Sequence, residues 1–492
     1  MRILLILLML TGAAHAAGTL RYGLEQDPDV LDPARNGSYG DRLVFTAMCD
    51  QLLDIDPQLN YVPQLALSWE WSPDRLSLTL HLRPGVLFQD GTPMDAEAVK
   101  QNLDRYRTAP ESLRKSELAP VTGEDVVDPL TLRIRLNQPY APLLSLLANR
   151  PGTPLSPKTL GLQPDEIAAH PVCAGPFRFV ERVAQDRIVL ERFPQYWNAE
   201  AIKLDRIEFH IAVDATVRRV NLQSAGFDVV GRLAPTDVAE IKRDSRLRVM
   251  TSPSLGFQLL AFNLQAGTPF ASDKRVRAAF EKTLDREALN QVVYEGQYVP
   301  SNQTEAPHST YWNSAYPVPP RDLDGARALM RQAGLERTSL ELIVGNDPVT
   351  AQVGQVIQAM AGEGGFDVKL VQMESASMLA TVKSGAYQAT MVIWSGRPDP
   401  DGNIAIWATC KGFLNWGNYC NPKLDDVLAR AAQEVEPEKR KPLYDEAVAL
   451  WIADRPQMVL YHFTWIWGVR AAVHGLVPRP DGLLRWENVT VQ

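Results

Sequence analysis

Trp394, Arg397, Asp399 and Asp401 lie within eight residues of one another, in the stretch V-I-W-S-G-R-P-D-P-D-G-N that runs from Val392 to Asn403. Between them they offer an aromatic face, a planar five-donor cation and two carboxylate acceptors, which is equipment for gripping a small polar solute. Val392, Ile393 and Trp394 read as the end of a buried strand. Ser395 to Asn403 is almost entirely turn formers and charges, held close by Gly396, Pro398 and Pro400. A surface turn with merely solvated charges has the same composition, so the rest of the chain must decide between a binding loop and a turn.

Bond-breaking chemistry finds little support. Ser112-Leu113-Arg114-Lys115 and Lys383-Ser384-Gly385 superficially match a secreted serine hydrolase of the penicillin-recognising kind. Ser112, however, falls in a charged segment without strand-to-helix context, and Lys383-Ser384-Gly385 ends an amphipathic helix. There is no G-x-S-x-G, H-E-x-x-H, Walker or Rossmann glycine pattern, and the seven histidines have no metal-ligand spacing. No catalytic residue, metal ligand or cofactor is therefore assigned, and the chain is read as a non-enzyme.

The elements that would position a binding loop follow from periodicity. Thr19–Leu24 reads as a first strand, and the loop after it carries Asn36 and Tyr39 as candidate cleft residues ahead of a helix with Leu43, Val44, Ala47 and Met48 on its apolar face. Leu76, Leu78, Leu80 and Leu82 alternate with polar residues, as do Leu132, Ile134 and Leu136. Between them Asp95 precedes an amphipathic helix with Val99, Leu103 and Tyr106 on one face. This block reads as a small α+β unit, with Arg114, Lys115 and Glu117 as a solvated helix face. From Arg321 onward helices and strands alternate up to Trp394, which argues for an α/β unit with mostly parallel pairing. Ligands bind such sheets at the carboxyl ends of strands, where Val344-Gly345-Asn346-Asp347 and Trp394–Asp401 both fall.

Residues 1–16 have one positive charge at Arg2, an apolar run from Ile3 to Leu10 and the small-residue pattern Ala14-His15-Ala16, the marks of a cleaved secretory signal. No later stretch approaches ~18 apolar residues, too few for a membrane span. The first cysteine is Cys49, so no N-terminal lipid anchor is expected, and a freely diffusing exported protein is. A net charge of -8 argues against nucleic acid as the main partner. In an exported compartment disulfides persist. Cys410 and Cys420 close a short loop and are expected to pair, which leaves Cys49 with Cys173 as the other possible bridge.

Six separated motifs resemble one family. Leu82-Arg83-Pro84-Gly85-Val86 with Phe88-Gln89-Asp90-Gly91-Thr92-Pro93 and Ala96-Glu97-Ala98-Val99 is similar to the signature of the extracellular solute-binding proteins of the peptide/nickel/opine type, family five of the ABC importers. Ala174-Gly175-Pro176-Phe177-Arg178-Phe179, Tyr196-Trp197, Phe262-Asn263, Arg275-Val276-Arg277 with Asp285-Arg286, and Trp394-Ser395-Gly396 with Asp399-Pro400-Asp401 follow in the family's order. The resemblance implies an α/β, two-lobed periplasmic-binding-protein clamp (type II-like) with an additional α+β subdomain. Lobe I would comprise residues 17–47, 171–256 and 470–492, the subdomain 48–170 and lobe II 257–469. Hinges are expected near Phe257–Asn263 and Tyr461–Val469. It further implies a monomeric periplasmic protein that closes on a peptide, opine or other amino-acid conjugate and docks on a membrane permease served by a separate ATPase. A sensory or chaperone-like use of the same clamp is not separable from import by sequence.

The solute is where the chain departs from the family. The dipeptide and oligopeptide binders resembled here place an aspartate three residues after the tryptophan, to pair with the peptide ammonium. That position is Arg397. The arginine that those binders use for the carboxylate is also missing from Gly345-Asn346-Asp347-Pro348. The two departures point to a solute whose anionic group meets Arg397, with a salt bridge from Arg397 to Asp399 or Asp401 as the structural alternative. Asn36, Tyr39, Asn263, Asn346, Trp394, Arg397, Asp399 and Trp416 are the candidate ligand residues.

Overall fold

The computed structural model describes residues 18–307 and 309–492; the expected signal segment 1–16 lies outside them. Among the described residues eleven strands form one mixed sheet. Its order begins with Phe366–Met373, Thr338–Gly345 and Ala389–Trp394, passes through the long strands Leu247–Phe262 and Gln457–Arg470, and continues with Val229–Val230, Thr19–Leu24, Arg206–Ile211, Arg187–Arg192 and Phe177–Val183. Val299–Pro300 adds a short pairing to the second long strand.

In the half that ends at Trp394, Thr338–Gly345 pairs parallel with both neighbours, and helices Pro348–Glu363 and Ser375–Lys383 make the crossovers. That is the α/β arrangement the alternation after Arg321 predicts, because parallel neighbours need a crossover of helical length.

The two long strands join the halves. Their N- and C-terminal parts pair with different neighbours: Phe257–Phe262 runs beside Ala389–Trp394, and Gly468 and Val469 beside Val229 and Val230. The first long strand starts at Leu247, well before the apolar run at Phe257, and includes Ser252-Pro253-Ser254-Leu255-Gly256. In the fold those residues form a bulge, Pro253 lying opposite Thr464 and Phe257 opposite His462. Gly256 is required there. A Cβ would lie 2.2 Å from Phe463 Cζ and 2.5 Å from the Trp394 carbonyl oxygen.

The small unit is a four-stranded antiparallel sheet, ordered Ala66–Trp71, Ser77–Leu82, Thr131–Leu136, Val121–Asp128. Leu78, Leu80, Leu132 and Ile134 are buried against helix Ala96–Thr108, each contributing roughly 1.5–3 kcal/mol. Asp95 caps that helix, accepting from the Ala98 amide. The sequence reading of Arg114 as part of a solvated helix face is incorrect. The segment forms turns, and Arg114 is only 5% exposed because it folds back to donate to Glu117 and to the Asn36 carbonyl.

Both disulfides form. Cys49, the C-cap of helix Tyr39–Met48, joins Cys173, and Cys410 joins Cys420. Among the described residues no helix is long and apolar enough to cross a membrane.

Candidate functional site

Strand Ala389–Trp394 delivers its last residue beside Phe257 of the first long strand, and the chain then turns at Gly396 with φ +79°. A side chain at Gly396 would strike the Leu255 backbone at 2.4 Å, so the turn depends on glycine by both torsion and space. The loop that follows is organised by Asn403, 1% exposed. Its Oδ1 accepts from Trp394 Nε1 (3.1 Å) and from the Arg397 amide (2.8 Å). Its Nδ2 donates to the Arg397 carbonyl (3.0 Å) and to Glu305 Oε1 (2.7 Å). Helix Asp401–Ala408 carries Asn403 in its first turn, so the loop is stapled to a packed element.

Held this way, Arg397 lays its guanidinium 4.3 Å from the Trp394 ring centre and donates to Ser395 Oγ (3.3 Å) and the Gly396 carbonyl (2.7 Å). It pairs with neither Asp399 nor Asp401. Asp399 is instead engaged by Arg440 of helix Pro437–Asp454 in two parallel bonds of 2.8 and 3.0 Å, both side chains 6% exposed. Its Oδ1 also caps the Asp401 amide. Asp399 is therefore a strut of the loop.

Across the cleft, helix Tyr39–Met48 is started by Ser38 and Asp41 in a capping box, and its buried face carries Arg42. Arg42 Nη1 donates to Ser395 Oγ at 3.4 Å, so one hydroxyl receives two guanidinium groups, one from helix Tyr39–Met48 and one from the loop after strand Ala389–Trp394. Among the described residues neither Arg42 nor Arg397 has a carboxylate in ion-pair contact. Arg150 and Arg114 stand behind them. Arg150 holds the Ser38 carbonyl and Asp41, and Arg114 holds Glu117 and the Asn36 carbonyl. A small cavity beside Arg42 and Arg150 is lined also by Pro33, Phe45, Gln51, Asn149 and Thr153, all of them on the Arg42 side of Ser395.

The electrostatics follow from that crowding. Burial first, then repulsion from Arg42 and Arg150, holds Arg397 well below the usual arginine range, partly offset by Glu117. Burial and Arg150 bring Arg42 down to about 10. Burial pushes Asp41 up to about 8 against the pull of Arg150, so it compensates its arginine weakly at neutral pH. Asn36 is fully buried and neither side-chain atom has a hydrogen-bond partner. A buried amide left unpaired costs about 1–3 kcal/mol per group.

The other candidates are dispersed. Tyr39 stacks on Trp465 of the second long strand (4.8 Å, 13°) and donates to the Gly482 carbonyl. Asn263 is tied to the Gly385 and Tyr387 carbonyls, Asn346 is exposed, and Trp416 meets Trp407 edge-on. Ser112, the serine of the hydrolase alternative, is 5% exposed and donates to the Tyr106 carbonyl. Sequence reasoning missed Arg42, Arg114, Arg150 and Asn403. The available signals were a cation that leads directly into the apolar run Leu43-Val44-Phe45 and an asparagine beside Ile404 and Trp407 in an apolar helix.

The pattern of the bacterial extracellular solute-binding proteins, family 5 (middle part), matches residues 60–415. The glutathione-binding protein GsiB of Pectobacterium atrosepticum is 28% identical over 93% of this chain and 91% of its own length. The dipeptide-binding protein of Escherichia coli K12 is 28% identical over 88% of this chain and 86% of its own. The structure of a dipeptide-binding protein from Pseudoalteromonas sp. SM9913 in complex with Met-Leu superposes with a TM-score of 0.88 at 21% identity, covering 96% of this chain and all of that one, a likeness of fold. With a junction of two long strands, a binding loop facing an arginine-bearing helix and a family pattern over most of its length, the chain belongs to the bacterial extracellular solute-binding proteins of family 5.

Proposed function

We propose that the protein is the periplasmic capture component of an ABC importer, closing two lobes on a small amino-acid-derived solute that carries an anionic group. The observation that carries the reading is Ser395 Oγ, which accepts from Arg42 of one lobe and Arg397 of the other while neither cation meets a carboxylate. A lone hydroxyl is a weak acceptor for two guanidinium groups, whereas a carboxylate takes the parallel N–H pair of an arginine in short, charge-assisted bonds. The names of the relatives, glutathione-binding and dipeptide-binding, put such solutes within the family's range.

In this reading residues 17–47, 171–256 and 470–492 form lobe I, 48–170 its added subdomain and 257–469 lobe II. Bending is assigned to the bulge between Pro253 and Phe257 and to the facing residues His462–Thr464. The lobes already touch beyond the site. The Ala141 amide donates to the Ala432 carbonyl at 2.9 Å, and Arg75 meets Glu436 at 3.3 Å. Trp394 supplies an apolar wall, Arg397 and Arg42 the anion grip, and Asn36 a donor and an acceptor for the solute's polar backbone. The residues 1–16 direct export and are removed, the protein acts as a monomer, and membrane permease subunits with their own ATPase are the partners.

The test is a thermal-shift panel of the mature protein with its bridges intact, covering neutral dipeptides, glutathione, opines and nickel chelates, repeated on Arg397→Ala. A solute at 100-fold its Kd stabilises by about 2.7 kcal/mol, a shift of a few degrees. Anionic conjugates are expected to shift the wild type and not Arg397→Ala. Equal shifts of both proteins by neutral dipeptides would remove the anion reading.

A further inference from the structure

The anion site has two halves whose charge is left over after every internal pairing. Four guanidinium groups gather there, from Arg42, Arg114 and Arg150 on one side and Arg397 on the other, and each repels its neighbours. Glu117 contacts Arg114, Asp41 contacts Arg150 while compensating it only weakly at neutral pH, and Asp481 acts on Arg42 without an ion-pair contact. Arg42 and Arg397 remain. Both donate through Nη1 to Ser395 Oγ, at 3.4 and 3.3 Å, so their guanidinium groups lie on either side of that one hydroxyl. Arg42 is 6% exposed, and its buried Nε has no partner. The two cations belong to different lobes, one on a helix of the first half of the chain and the other 355 positions later on the loop after strand Ala389–Trp394.

Resting on the reading of the cleft as an anion-gripping clamp, we propose that the solute carries two negative charges, one answered by Arg42 and the other by Arg397. The recognised chemistry is a dianion, either an amino-acid conjugate with two carboxylates or a phosphoryl group. One carboxylate would neutralise one guanidinium and leave the second buried without a counter-charge, the arrangement that low-dielectric surroundings penalise most. Two anionic groups satisfy both and tie the lobes together. Closure of the empty clamp then brings Arg42 and Arg397 together without a counter-ion, so an unliganded protein is held open by the same pair that a dianion clamps shut. Differential affinity for the closed form is what shifts the population.

The proposal is tested by isothermal titration of the mature protein with Ala-Glu, Ala-Gln and inorganic phosphate, with closure followed by small-angle scattering. Ala-Glu and Ala-Gln are nearly isosteric and differ by one carboxylate. Tighter binding of Ala-Glu by a factor of about ten or more, with compaction on its addition alone, is expected for the dicarboxylate source. Binding of phosphate in preference to both peptides supports the dianion and assigns it to a phosphoryl group. In Arg42→Gln both affinities should fall, that for Ala-Glu by more, so that the Ala-Glu preference narrows to within about two-fold. Arg42→Lys, which keeps the charge but not the planar fork, should retain part of it and guards against a folding defect in the first variant. Equal binding of Ala-Glu and Ala-Gln that still depends on Arg397 would overturn the two-charge inference and leave the single-anion function standing. Failure of every anion to bind would overturn both.

Discussion

Asp399 sits in the loop proposed to grip the solute, yet its geometry assigns it to stability, and the two roles separate cleanly by mutation. Asp399→Asn keeps the side-chain shape and removes the charge that Arg440 meets through two bonds. Arg440, 6% exposed, then keeps the Ala431 carbonyl, the Tyr444 hydroxyl and one amide oxygen at position 399, none of them charged. Breaking one side of a buried ion pair costs about 3–5 kcal/mol, because the remaining charge stays desolvated. For a unit of lobe size each kcal/mol lowers Tm by about 2–4 °C, so the lobe carrying the loop should melt roughly 6–20 °C lower. Differential scanning calorimetry on wild type, Asp399→Asn, Arg440→Met and the double variant measures it. The double variant should be less damaged than the two singles together, since replacing both partners leaves no orphaned charge. An Asp399→Asn protein that melts within about 2 °C of wild type and loses only solute binding would refute the argument and return Asp399 to the ligand set.

Glu305 gives the fold a pH signature. Burial pushes its carboxyl up to about 7 although Asn403 and Ser309 donate to it, and burial raises Asp401 to about 7 as well. A folded-state value above the unfolded one means that the folded protein holds the proton longer. The contribution of Glu305 is thus full below pH ~4.5 and is lost as pH rises through about 7, a swing of roughly 3 kcal/mol; Glu305→Gln should flatten the urea-unfolding profile over that window. Removing Asn403 by Asn403→Ala frees Trp394 Nε1 and the Arg397 amide, and a fall in solute affinity of about ten-fold is expected from a loosened loop, read by titration on protein of verified fold. For the disulfides, chain entropy assigns about 5 kcal/mol to Cys49–Cys173, with its separation of 124, and about 3 to Cys410–Cys420, with 10. Serine replacement of the first pair should accordingly lower Tm more than replacement of the second.

Local pattern carried a large part of the architecture. Alternation at Leu78, Leu80 and Leu82 and at Leu132 and Ile134 announces strands with one buried face, and those residues are buried. Helix and strand in turn after Arg321 announce parallel pairing, which Thr338–Gly345 shows with both neighbours. Such features depend on residues close in sequence, so one chain suffices to read them. Motifs spread along the chain indicated the family, and the loop Ser395–Asn403 could be recognised as charged and turn-rich. Which charges meet could not be read, because a partner is chosen by distance in space. Arg42 and Ser395 are 353 residues apart, and Asp399 finds Arg440 41 residues on, so a loop carrying one arginine and two aspartates looked equally like an internal salt bridge. The same holds for the long strand from Leu247, whose Ser-Pro-Ser-Leu-Gly segment is a turn by composition and becomes a bulge only because the second long strand lies beside it. Sequence by itself determined the elements, the cation at position 397 and the absence of the usual peptide anchors; tertiary structure alone decided that this cation is left without a carboxylate in contact and faces a second one, Arg42, across the Ser395 hydroxyl.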